Sequence, residues 1–454
     1  MRVSKTSITS VSAIALLLSL QAPAFGQSLK DAVQQTLNTS PDILIDAARR
    51  LAADESVKTA RGGYFPKIDL AAGTGRERSD NPTTRAASGG SLSFNRHESS
   101  ATLTQMLFDG FGVSSEVDRN EARVESTAFK VAGSSEQLAL RAVEAYLEVL
   151  RRQELVILTK DNLGSHQRTY DQIKVRADSG VGRKADQEQI EARNALARAN
   201  FGAEEANLRD AQINFLRIVG QMPQSLNKPA APDLGALPRT VEDAVQIAID
   251  SHPLLKSAAA DIAATEAQHR AAKSFMWPRL DFEAGGSWNK NLDGSAGKND
   301  DSYAMLRLRY NLFKGGSDLG RIGDTKQQVY EATEIRNRAA RQLEQSVRLA
   351  WNAMYSAKER LPSLKQHADS SAATRDAYVK QFGIGQRTLL DLLDSENEYY
   401  TASTNYVNGQ YLELFSRYRI LSDTARLVGY LGVTPRPEAT LSDAAPAQEA
   451  APAK

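Results

Sequence analysis

No cysteine occurs among the 454 residues, so neither a disulfide-stapled scaffold nor lipid attachment at an amino-terminal cysteine is open to this chain. Charge of one sign is missing too. The formal balance is +1, without the excess of positive charge that a nucleic-acid surface needs, and no nucleic-acid partner is expected. After residue 20 no apolar run approaches the ~20 residues of a helical membrane span. Enzyme signatures are lacking as well: there is no GxxxxGK[ST] loop, no HExxH and no GxSxG. The five histidines (His97, His166, His252, His269 and His367) are scattered without metal-ligand spacing, so no catalytic residue, metal or cofactor is expected.

The one long apolar run lies at the amino terminus. Arg2 and Lys5 precede VSAIALLLSL (11–20), and the small residues Ala22, Ala24 and Gly26 follow. That order reads as a secretory signal peptide over 1–26 cleaved before Gln27, with cleavage before Phe25 as the alternative. A membrane anchor is the competing reading, but the run is short for a span. Loss of Arg2 and Lys5 with the leader takes the balance from +1 to −1.

The rest of the chain repeats itself. LKDAVQQTLNTSPDI (29–43) matches VEDAVQIAIDSHPLL (241–255), and Asp31/Asp243, Pro41/Pro253, Pro66/Pro278 and Asp69/Asp281 are all 212 apart. The offset then drops to 205 for Phe108/Phe313, Gly110/Gly315, Tyr146/Trp351, Gly180/Gly385 and Asp186/Asp391, and returns to 212 at Gly220/Gly432 and Pro223/Pro435. An ordered series of this kind predicts two tandem copies of one unit, 27–226 and 240–435. They are joined by the Pro/Ala linker 227–239 and followed by an Ala/Pro-rich tail, 436–454, expected to be disordered.

Each copy should begin with an amphipathic, alanine-rich helix such as 241–274, stopped by Phe65-Pro66 or Trp277-Pro278. Two strands follow, clearest in the second copy. Leu280, Phe282 and Ala284 alternate with Asp281 and Glu283, and Ala304, Leu306, Leu308, Tyr310 and Leu312 alternate with Met305, Arg307, Arg309 and Asn311. A half-buried soluble sheet would give the same period. The leader, near-spanning strand lengths and polar loops at 76–98 and 289–302 favour a barrel in an outer membrane, apolar outside, with Asp281, Glu283, Arg307 and Arg309 facing a wet lumen. Four strands cannot close a barrel, because even narrow ones need about eight, so the chain must oligomerise.

Residues 113–179 contain no proline, enough for roughly 100 Å of helix at ~1.5 Å per residue, or for two stacked helices. Gly180 and Gly182 turn the chain, and 185–219 runs back with a stripe of Ala192, Ala195, Ala199, Ala203 and Ala206 suited to close helix approach. Gly383 and Gly385 mark the matching turn of the second copy, and Pro362 should kink its long helix.

These features resemble the TolC-type outer-membrane efflux proteins. The motifs that carry the resemblance are YFPKIDL (64–70), LTQMLFDG (103–110), LRYNLFKGG (308–316), SGVGRKADQ (179–187) and FGIGQRTLLDLLDSEN (382–397). The resemblance implies a fold of mixed α and transmembrane β. Three chains share one twelve-stranded barrel in the outer-membrane lipid, four strands from each, continued by a long α-helical barrel of coiled hairpins in the periplasm. It implies as partners a periplasmic adaptor and an inner-membrane pump of the resistance-nodulation-division or ABC type. The function it implies is a passive exit duct for drug efflux, type I protein secretion, or both. The run 381–402 resembles members serving protein secretion. A periplasmic coiled-coil adaptor without a barrel is the competing reading.

By the same resemblance Asp391 and Asp394 match paired entrance aspartates, Arg387 matches an arginine linking neighbouring hairpins, and Asp186 matches its acidic partner. Phe382 stands where some members carry a tyrosine of that latch, and Ala185 where they carry a threonine. The residues themselves leave Asp391 open. Three apart, the two aspartates share one helical face and in a trimer would form a ring of six carboxylates, attracting cations. Thr388-Leu-Leu-Asp391 equally has the form of a capping box, in which Asp391 satisfies a backbone donor.

Overall fold

The computed structural model describes residues 26–441, so the expected leader, apart from Gly26, and the tail beyond Leu441 lie outside the described residues. Elements follow the same order twice, except for a short helix between the strands of the first round. The first round is α1 (Leu29–Thr39), α2 (Pro41–Arg61), β1 (Lys67–Ser79), α3 (Pro82–Ser88), β2 (Leu92–Phe108), α4 (Gly112–Asp178) and α5 (Lys184–Val219). The second is α6 (Val241–Ser251), α7 (Pro253–Ala272), β3 (Arg279–Lys290), β4 (Lys298–Arg309), α8 (Ser317–Gly383) and α9 (Leu389–Asp423), with a short α10 (Leu427–Tyr430) after it.

The first helix of each round is two helices. Ser40 and His252 are extended (ψ 128° each), and Pro41 and Pro253 open α2 and α7 at a position that needs no amide donor. The long helices are single rods: α4 and α8 have 67 residues each, about 100 Å at ~1.5 Å per residue. Helix α8 runs on as helix through Pro362, at the expense of one hydrogen bond to the Lys358 carbonyl. Helix α5 packs through Ile190, Asn194, Ala197, Ala211, Phe215 and Val219, whereas Ala192, Ala195, Ala199 and Ala203 point outward. The alanine stripe is therefore not the α4–α5 seam, since larger side chains gain more by burial and take that face.

The four strands form one antiparallel sheet in the order β1-β2-β3-β4. The polar loops are shorter than expected: β1 runs to Ser79, β2 starts at Leu92, and β4 takes in Asn299–Ser302. Polar strand ends carry no alternation of hydropathy, so periodicity could not see them. The main core lies where the rods meet α1, α2 and the linker. There the buried Tyr146 hydroxyl sits 2.7 Å from the carbonyls of Gln27 and Asn227 and accepts from the Asn227 amide at 2.9 Å. The linker is packed rather than loose, with Tyr418 donating to the Ala230 carbonyl and Arg417 to that of Pro232. Residues Pro437–Ala439, expected to be disordered, form a 3-10 turn.

Phe111, before α4, is left-handed (φ 67°), as is Gly316 before α8 (φ 82°). A non-glycine pays of order 1 kcal/mol there. Phe111 offsets it by edge-to-face contacts with Phe108 (5.5 Å) and Trp277 (6.5 Å). Phe111→Gly should therefore be more stable than Phe111→Ala by about 1 kcal/mol, because alanine keeps the backbone cost without the ring. Thermal unfolding of the two variants checks this, and equal stability would refute it.

Glu136 of α4 is buried and accepts the amides of Leu427 (3.1 Å) and Val428 (3.3 Å), which fixes the carboxy-terminal segment. Burial pushes its carboxyl up to about 7, against those two bonds. With the folded value above the unfolded one, this group's stabilisation is full below about pH 4.5 and is lost as pH rises to about 7. The loss is about 3 kcal/mol at most. Calorimetry should find that Glu136→Gln removes this part of the decline between pH 5 and 8. An unchanged pH profile would contradict it.

Candidate functional site

The hairpin ends are built alike. Helix α4 finishes with Gly180 left-handed (φ 75°), the Gly180 amide on the Ala177 carbonyl and the Val181 amide on that of Arg176, both at 3.0 Å. Helix α8 finishes with Gly385 left-handed (φ 78°), its amide on Phe382 (3.1 Å) and the Gln386 amide on Gln381 (2.9 Å). These are matched Schellman closures, which glycine alone adopts without strain. Gly182 comes so close to α4 that a Cβ would lie 2.8 Å from the Ala177 nitrogen, whereas Gly383, the last residue of α8, has open space around it.

The returning helices start differently. Arg183 gives α5 no side-chain cap. Thr388 caps α9 in a full capping box: its hydroxyl accepts from the Asp391 amide (3.2 Å), while its own amide donates to Asp391 Oδ2 (3.1 Å). The Thr388 hydroxyl and amide hold the Asp391 carboxyl below its ordinary value. One turn on, Asp394 is exposed and has no hydrogen-bond or ion-pair partner among the described residues. The cap reading of Asp391 is therefore realised, and Asp394 is the freer carboxylate.

Arg387 does not reach Asp186 within the chain. Its Nε donates to Gln381 Oε1 (3.0 Å), and its guanidinium lies 4.2 Å from the Tyr378 ring centroid. What joins the two hairpins at the tip is apolar. Phe382 is buried with Ile173, Ile190, Leu389, Leu392 and Leu393, side chains from all four rods, and Arg176 of α4 stacks over its ring at 5.2 Å.

Above the tip a polar ladder joins α4 to α9. Ser165 donates to Glu396 (2.8 Å), Thr159 meets Tyr400 (3.1 Å), Tyr411 donates to Glu154 (2.8 Å) and Arg151 to Asn408 (2.6 Å). Glu396 is only 4% exposed, and burial raises its carboxyl against the Ser165 bond and the pull of Arg375 and Arg168. Sequence reasoning missed this group. Its signal was spacing: position 396 continues the buried face of Leu389, Leu392 and Leu393, where a charge needs partners.

On the sheet, Asp281, Glu283, Arg307 and Arg309 are brought together on one face. Arg309 donates to Asp281 (3.0 Å) and Glu283 (2.5 Å), Arg307 to Glu283 (2.7 Å), and Arg279 to Asp281 (2.9 Å). Ile68, Leu70, Leu306 and Leu308 lie exposed on the other face.

Sequence and structure comparisons extend over the same length. The family model for the outer membrane efflux protein matches residues 32–221 and 244–420. The outer membrane efflux protein BepC of Brucella suis is 23% identical over 408 residues, covering 89% of this chain and 86% of the relative. The alkaline protease secretion protein AprF of Pseudomonas aeruginosa is 25% identical over 438 residues, 92% of this chain and 87% of its own. Among solved structures, the Campylobacter jejuni CmeC outer membrane channel superposes with a TM-score of 0.78 at 13% identity, over 88% of this chain and 86% of that one.

Proposed function

Because the chain belongs to the outer membrane efflux protein family, we propose that it is the exit duct of a tripartite export system. It works passively, conducting what a periplasmic adaptor and an inner-membrane pump hand to it across periplasm and outer membrane. The observation that carries this is a four-stranded sheet with one apolar exposed face and one charged face, set on two helical rods about 100 Å long, each with a shorter returning helix. An adaptor without a barrel would have no use for lipid-facing Leu70, Leu306 and Leu308.

In this reading the described halves are two copies of one unit, and three chains supply twelve strands to a closed barrel. Each chain alone leaves β1 and β4 as open edges, several kcal/mol per unsatisfied group in lipid. Tyr64, Phe65, Phe108, Phe111 and Trp277 gather where strands meet rods, as an aromatic belt at the inner edge of the lipid. At the other end Val181 (83% exposed) and Ile384 (71%) leave an apolar crown on the tips for the adaptor. Asp391 and Asp394 ring the entrance, and Arg387 and Asp186 supply a charged latch between neighbouring chains. The names of AprF and BepC suggest protein secretion and efflux as the duties of such a duct.

Affinity capture of a tagged chain from native membranes tests this. Recovery of a heat-sensitive trimer in the outer-membrane fraction, with a pump and an adaptor bound, is expected. A soluble monomer would refute it, and the pump's class decides between protein and drug export.

A further inference from the structure

The two edges of the sheet are charged unequally. Arg307 and Arg309 line β4, and Arg309, 54% exposed, has guanidinium N–H groups beyond the two that bind Asp281 and Glu283. On β1, Asp69 is exposed and has no hydrogen bond or ion pair among the described residues. All are on one face, since Asp69, Thr102, Gly285 and Tyr303 stand opposite one another across the sheet.

The repeat explains why Asp69 is left over. Its counterpart, Asp281, is paired with Arg309 of the adjacent strand and Arg279 of its own, but the counterpart of Arg309 on β2 is Thr104, and Lys67, the counterpart of Arg279, makes no ion pair with Asp69 among the described residues. A cross-strand arginine for Asp69 is therefore absent on the β2 side, and the other side of β1 is where one can approach. In the trimer proposed above, on which this inference rests, that side is β4 of another chain.

The seam between the two halves sets the register. Met106 of β2 stands opposite Asp281 of β3, and Thr104 opposite Glu283. The β4–β1 junction is the same junction between one unit and the next. Carried over position by position, with β4 extended two residues beyond Arg309 on pairing, it sets Asn311 opposite Asp69 of the partner subunit, and Arg309 opposite the partner's Ala71. Arg309 is then diagonal to the partner's Asp69, as it is to its own Asp281, a separation of about 7–8 Å that a long side chain spans. We propose that Arg309 bridges Asp281 of its own chain and Asp69 of the partner subunit, and that this pairing fixes the register in which three chains close.

Because the natural chain lacks cysteine, Asp69→Cys with Asn311→Cys would supply its only thiols. Opposed strand positions lie about 4.5–5.5 Å apart at Cα, within disulfide reach. Oxidised outer membranes should give a covalent trimer on non-reducing gels, and Asp69→Cys with Arg307→Cys should not. Asp69→Asn should lower the temperature at which the trimer dissociates, and Asp69→Glu should largely retain it. A native trimer that cross-links only in another register, or whose dissociation is unmoved by Asp69→Asn, overturns the pairing. Absence of any trimer from the unaltered chain overturns the duct reading itself.

Discussion

In the proposed trimer, trivalent cations are expected to block the native channel but not the Asp391→Ala/Asp394→Ala double variant, whose single-channel conductance is expected to be higher. Around the proposed three-fold axis the pair would give six carboxylates at the entrance, a ring that attracts a trivalent cation more strongly than a monovalent one. The two residues should not contribute equally. Asp394 is exposed and has no partner among the described residues, so Asp394→Ala alone should remove most of the block and leave stability unchanged. Asp391 holds the Thr388 amide and hydroxyl, so Asp391→Ala should also weaken the start of α9. Current recordings with a trivalent cation on the tip side check the first part, and melting curves the second. Block that persists in the double variant would remove the aspartates from the entrance.

Phe382→Ala is the second large effect. The ring is buried among side chains of all four rods, and truncating such a phenylalanine costs about 3–5 kcal/mol. Part of that loss falls on the seam between hairpins, because the Arg176 guanidinium no longer has a ring to stack on. The second hairpin should come away more readily, so the variant should spend more time in a high-conductance state while its barrel end stays intact. Phe382→Tyr should lie close to the native chain. Polar bonds higher on the seam give an internal comparison: Ser165→Ala unpairs buried Glu396 and should act in the same direction. A Phe382→Ala trimer with native conductance would show that the apolar cluster does not hold the entrance.

Much of this was legible in the sequence because it rests on local rules. Gly180 and Gly385 announced turns that need a left-handed residue, Thr388 and Asp391 announced a capping box, and the alternation of Asp281 and Glu283 with Leu280 and Phe282 announced a two-faced strand. What was not legible depends on which neighbour a face meets. Pro41 and Pro253 could be read as the interior of one helix or the start of a second, and the preceding extended residue decides it. The alanine stripe on α5 satisfied a rule for close packing, yet the heavier face through Ile190 and Phe215 took that place. Phe382, read as a tyrosine without its hydroxyl, proved to be the centre of an apolar cluster, because Ile173 and Ile190 are distant in sequence. Arg387 was matched to Asp186, but within one chain Tyr378 and Gln381 occupy it.

Three such chains are proposed to form one closed conducting duct. Planar-bilayer recording of the purified, detergent-extracted protein tests it most directly, with the Phe382→Ala chain beside the native one so that a shut entrance is not mistaken for a missing pore. Discrete conductance steps from trimeric particles are expected, larger in the variant. Reconstituted trimers of both chains that pass no current would contradict it.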